Sequence, residues 1–166
     1  MMLGITSFTA VHVLLSLIGI ASGLVVLAGL CTAKLMPRWT ALFLASTLAT
    51  SLTGFFFPFH GFTPALGVGL ISTAVLLATI AARYRGHLAG RWRWIFALGA
   101  VVSLYFNSFV LVVQSFLKIP ALHSLAPTGS EPAFVLAQGV VLLFYLLTGV
   151  LAVKRFHPAP RSPTHG

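Results

Sequence analysis

Acidic side chains are all but missing, Glu131 being the single carboxylate in 166 residues. Hydrolysis by a carboxylate pair is thereby excluded. So is proton or cation coupling of the usual kind, which places carboxylates inside the membrane. Cysteine is equally scarce: Cys31 alone cannot form an internal disulfide and reads as a small buried apolar residue. Structural zinc is disfavoured because Cys31 and His60 are expected on opposite sides of the membrane. No serine sits in a nucleophile elbow, so the chain is not expected to be an enzyme. Basic runs interleaved with aromatics on a polar surface are also absent, which removes nucleic acid as a partner. No internal repeat suggests the inverted halves of a transporter.

What the chain has instead is apolar length. Hydrophobic residues make up 58% of it and charged ones 7%, and its mean hydropathy is +1.04. The lipid bilayer is therefore its expected solvent and first partner. A spanning helix takes about 20 apolar residues, and five such runs occur, near 8–33, 39–57, 65–82, 92–117 and 132–153. The first lacks the basic leader of a cleaved signal and is longer than a signal's apolar region, so it is expected to stay as a helix. Pro37 and Arg38 follow it, and Pro58 and Pro64 bracket the turn after the second run. Ser130, Glu131 and Pro132 form a helix start before the fifth. The expected fold is all-α, a single transmembrane domain of five helices, with residues 154–166 a disordered cytoplasmic tail.

The charges orient it. Lys34, Arg38, Arg83, Arg85, Arg91, Arg93, Lys154, Arg155 and Arg161 fall on one side and only Lys118 on the other. The positive-inside rule then predicts a cytoplasmic C-terminus and an external N-terminus. Trp39, Tyr84, Trp92 and Trp94, at segment ends, read as interface anchors.

Polar groups within hydrocarbon must find partners, so they mark faces turned toward protein or a cavity. Ser103, Asn107, Gln114 and Lys118 share one face of the fourth segment, and Gln138, Tyr145 and Thr148 one face of the fifth. A rise of about 1.5 Å per residue puts Asn107 and Tyr145 near mid-membrane and Gln114 and Gln138 roughly 7 to 11 Å outward. His12 falls in the same outer half, and His60 caps the outer end of the second run. The candidate ligand-binding residues are accordingly His12, His60, Tyr105, Asn107, Gln114 and Gln138. They would form an outer-half pocket for a lipophilic molecule such as a quinone or lipid, with phenylalanines 55–57 and 59 along its body. The same amides equally serve as bonds between helices. In that case the chain is an accessory subunit of a larger, possibly respiratory, membrane complex, packing through Gly19-Ile20-Ala21-Ser22-Gly23 and similar small-residue faces or pairing with its own copy. A third reading, haem b, needs paired histidines, and only His12 lies inside a segment. No cofactor is required by the residues.

The stretch Thr53-Gly54-Phe55-Phe56-Phe57-Pro58-Phe59-His60-Gly61-Phe62-Thr63-Pro64-Ala65, with Gly67-Val68-Gly69 after it, resembles a family of small bacterial inner-membrane proteins. The resemblance extends through Tyr105-Phe106-Asn107 and Ser130-Glu131-Pro132. It implies a multi-pass protein of the bacterial inner membrane and brings no activity with it. The family often has histidine where Leu66 stands here, which further weakens a metal or haem role at this loop.

Overall fold

The computed structural model describes residues 2–57 and 64–157, and it is helical. Its elements are α1 (Met2–Cys31), α2 (Pro37–Gly54), α3 (Pro64–Tyr84), α4 (Arg91–Lys118), the short α5 (Pro120–His123) and α6 (Pro132–Arg155). Prolines begin α2, α5 and α6, where the missing N–H would have no helical acceptor anyway.

Each of the two tight reversals on the basic side has its own local cause. Lys34 N–H reaches back to Gly29 O at 2.8 Å while Ala33 turns to a φ of 58°. A side chain at Gly29 would meet the carbonyl oxygen of Lys34 at 2.7 Å, so the turn needs glycine there. Between α3 and α4, Arg85 and Gly86 both donate to Ala81 O, and Leu88 (φ 59°) buries its side chain.

Several boundaries differ from the apolar runs. α2 stops at Gly54, and Phe55–Phe57 continue it as a turn in which each amide donates three residues back, to Leu52, Thr53 and Gly54. α1 starts at Met2 because nothing in its first turns interrupts a helix, and α6 continues to Arg155. The fourteen-residue stretch expected to be loop after α4 contains α5. Before α6, Ser130 does not cap the helix. Glu131 is at the cap position, and its carboxylate turns back to accept from Thr128 N–H (3.0 Å), Thr128 Oγ1 (2.9 Å) and Ser130 N–H (3.0 Å). These donors, led by the Thr128 amide, pull its pKa down to about 2. Of the tail, residues 158–166 lie outside the described residues.

Four helices are long and apolar enough to cross a membrane: Ser7–Cys31 within α1, Leu66–Tyr84 within α3, α4 and α6. α2 is not among them, because its 18 residues include Arg38 and six serines or threonines. It turns Thr40, Ser46, Thr47 and Thr50 inward beside Phe43 and Leu44. α4 is central, touching α1, α3 and α6, while α1 pairs with α2.

The buried core is concentrated toward one end. Leu30, Phe43, Leu76, Phe96, Leu104 and Phe156 are fully buried, and all lie in the half nearest the basic connections. Small residues let the backbones close there. Around Gly23, Phe43 and Leu104, the packing leaves no space a water could enter. In the other half, Val11, Val13, Leu14, Leu17, Val135 and Leu136 are exposed, so the helices present themselves singly to their surroundings.

Candidate functional site

The polar side chains of the apolar helices do not meet in one place; the fold divides them between two interfaces. On the α2 side, His12 Nδ1 lies 2.8 Å from Thr53 Oγ1. The single hydroxyl proton of Thr53 is directed at Ala49 O (2.8 Å) and Thr50 O (3.0 Å), so Thr53 accepts and the imidazole donates through Nδ1. Its Nε2 is left with the lone pair and makes no hydrogen bond among the described residues. Phe57 stacks edge-on against the ring at 5.2 Å, with Phe8 beyond it. Gly54 lets the imidazole lie close to the α2 backbone. Seven residues deeper, Asn107 Nδ2 donates to Thr47 Oγ1 at 3.2 Å over Gly19, where an added methyl would press on both groups.

On the α6 side the amide of Gln138 donates to Phe109 O at 3.2 Å, while its buried Oε1 finds no partner among the described residues. Tyr145 is 6% exposed and shares a 2.8 Å hydrogen bond with Ser108. Tyr105 and Phe144 pack edge-on against its ring at 6.0 and 5.0 Å. The two hydroxyls stand at one wall of a lateral groove of about 270 Å³, completed by Val140, Val141 and Phe144.

Two hydroxyls carry two protons, and the bond between them uses one. Neither oxygen donates to anything else among the described residues, so the pair keeps one proton to spare beside the groove. Everything else lining it is aliphatic or aromatic. Such a site can orient a carbonyl or ether oxygen on an apolar molecule, and it holds no group able to abstract or donate a proton near neutral pH.

Of the six sequence candidates, Asn107 and His12 therefore bind α2 to its neighbours. Tyr105 and Gln138 belong to the α4–α6 contact, and Gln114 is exposed on α4 without joining either set. His60 lies outside the described residues. Ser103, which begins the polar stripe of α4, is fully buried, and its hydroxyl is unpartnered among the described residues. Ser108 falls outside that stripe because it sits one residue beyond Asn107 and so faces α6 rather than α2. Its signal was the spacing from Tyr105, three residues along the same face. No group of three or more histidine, cysteine or acidic residues could hold a metal among the described residues. Comparison with protein-family models, with curated proteins and with solved structures gives no match.

Proposed function

We propose that this chain crosses a bacterial inner membrane five times, N-terminus outside and C-terminus in the cytoplasm, and holds a lipophilic molecule in the groove between α4 and α6. α2 serves as the fifth span in this reading. Its 18 residues measure about 27 Å, close to the hydrocarbon thickness, and its buried hydroxyls turn away from lipid. Basic last turns of α3 and α6, basic first turns of α2 and α4, and exposed Trp39, Tyr84, Trp92 and Trp94 support one headgroup boundary and this orientation. Terminal tags probed with protease in spheroplasts test it; an externally cleaved C-terminal tag refutes it.

The observation that carries the binding reading is the Ser108–Tyr145 pair at the wall of an otherwise apolar groove. A quinone or another oxygen-bearing isoprenoid fits that chemistry, with one oxygen on the hydroxyl pair and its body along Val140, Val141 and Phe144. The full chain, purified in mild detergent and extracted with organic solvent, is expected to yield one such molecule near stoichiometry by mass spectrometry, and Tyr145→Phe with Ser108→Ala is expected to lose it. An identical lipid complement in both proteins refutes the reading. A Soret band in the same sample would turn attention to haem at His12.

A second reading is supported by α6, whose apolar span is 11% buried against 39% for α1 and for α4. In that reading the chain is an accessory subunit, and α6 packs against a larger membrane complex. Subunits that co-purify stoichiometrically and detach when Leu143 and Leu147 are replaced by tryptophan would favour it.

A further inference from the structure

The basic end of the bundle has no carboxylate to answer it. Lys34 and Arg38 come from the α1–α2 turn, Arg83, Arg85, Arg91 and Arg93 from the α3–α4 hairpin, and Lys154 and Arg155 from the end of α6. The chain's one acid, Glu131, begins α6 and so lies a full helix away, about 36 Å. The counter-charge for this end must come from outside the chain.

Two of these guanidinium groups are partly buried, and they differ in what they touch. Arg93 Nη1 donates to Phe156 O at 2.9 Å, which clasps the start of α4 to the end of α6. Arg83, in the last turn of α3, stands over the Tyr84 ring at 5.4 Å. Its Nε is shut away from solvent and finds no acceptor among the described residues. The inner part of the side chain is thus enclosed while the residue stays partly exposed, which leaves the terminal Nη groups as the donors a ligand can reach. The connection beside it folds down through Leu88 and leaves Arg85 and Arg91 exposed. Tyr84, Trp92 and Trp94 are exposed on the flanks, which sets the arrangement at headgroup depth.

We infer that the α3–α4 hairpin is a binding site for the phosphodiester of an anionic phospholipid, with Arg83 as its anchor. The two terminal Nη groups of a guanidinium form a two-pronged donor matched to two phosphate oxygens, and those of Arg83 are not among the shut-away atoms. Arg85 and Arg91 supply the surrounding positive field, and the aromatic flanks take the glycerol and upper acyl region. The exposed aromatics choose a lipid over a soluble phosphate, since a free anion has no use for them. Arg93, already bonded to Phe156, is a structural clasp and not part of the site. The inference is independent of the groove between α4 and α6.

Native mass spectrometry of the full chain in detergent, given equimolar dioleoyl-phosphatidylglycerol and dioleoyl-phosphatidylcholine, tests this. The wild type is expected to enrich phosphatidylglycerol, and Arg83→Gln to lower that enrichment about fivefold, while Arg38→Gln lowers it by less than about twofold. Arg83→Lys keeps the charge but loses the two-pronged donor and is expected to fall between the two. Arg93→Gln is expected to lower the melting temperature and keep the lipid preference. Equal losses for Arg83→Gln and Arg38→Gln would overturn the site in favour of a diffuse field. Wild-type protein without preference, or displacement of the lipid by millimolar inorganic phosphate, would overturn it as well. If Arg83→Gln does not fold, Arg83→Lys decides, and wild-type enrichment in that variant refutes the anchor.

Discussion

A methyl group added at Gly99 would be driven into the side chain of Thr79, since Gly99 Cα in α4 faces the hydroxyl, Cβ and Cγ2 of that one residue of α3. Thr79 has little freedom to give way. It is fully buried, β-branched, and its hydroxyl is tied to Val75 O at 2.8 Å. Overpacking of this sort costs about 1–3 kcal/mol, and alanine's better helix propensity returns up to about 1 kcal/mol of it. Gly99→Ala is therefore expected to destabilise by roughly 1–2 kcal/mol net. Gly139 in α6 is the internal control, because an added methyl there meets nothing within 4 Å. Gly139→Ala is expected to be neutral or stabilising by up to about 1 kcal/mol. The cause can be isolated by a cycle. Thr79→Ala removes the obstructing hydroxyl and methyl, so the double variant should recover much of the Gly99→Ala loss, a coupling of about 1 kcal/mol or more. Unfolding by titration with a denaturing detergent, followed by circular dichroism, measures the wild type and all four variants. Equal effects of alanine at positions 99 and 139, or additive behaviour in the cycle, would refute the close α3–α4 approach.

Other outcomes follow from single contacts. Asn107→Leu removes the 3.2 Å bond to Thr47 and is expected to change stability by no more than roughly 2 kcal/mol in the same titration, with the groove's ligand retained. Arg93→Gln frees the Phe156 carbonyl and should cost about 1.5–3 kcal/mol, seen as faster proteolysis at the end of α6. Glu131 has a folded pKa of about 2 against an ordinary value of 4.5. Its ionised form therefore favours the 128–131 turn fully above the ordinary value, and that support is lost as pH falls through about 2. The Thr128 and Ser130 amide resonances are expected to titrate near that pH, and Glu131→Gln to abolish the transition; a midpoint near 4.5 would refute the hydrogen-bonded carboxylate.

Sequence alone determined that long helices lie over the apolar runs, though not α5 or the start of α1 at Met2, because apolar run length, proline and the placement of basic residues act locally and need no knowledge of neighbours. Pro37, Pro64 and Pro132 each begin a helix, and the basic side of the bundle was legible before any packing was known. The α2 segment was legible as an apolar run stopped by Pro58, but not as a helix that already ends at Gly54. Partnership was decided only by the tertiary structure. Asn107 and Ser108 are adjacent in the chain, and a helix advances about 100° per residue, so one reaches α2 and the other α6. Periodicity grouped Asn107 with Gln114, but only the course of α2 and α6 beside α4 determined that Asn107 would find Thr47 while Gln114 stays exposed. His12 shows the same limit: its depth follows from counting residues, whereas Thr53 as its partner depends on how α1 and α2 cross, which Gly19, Gly23 and Gly54 permit by leaving out side chains at the contact.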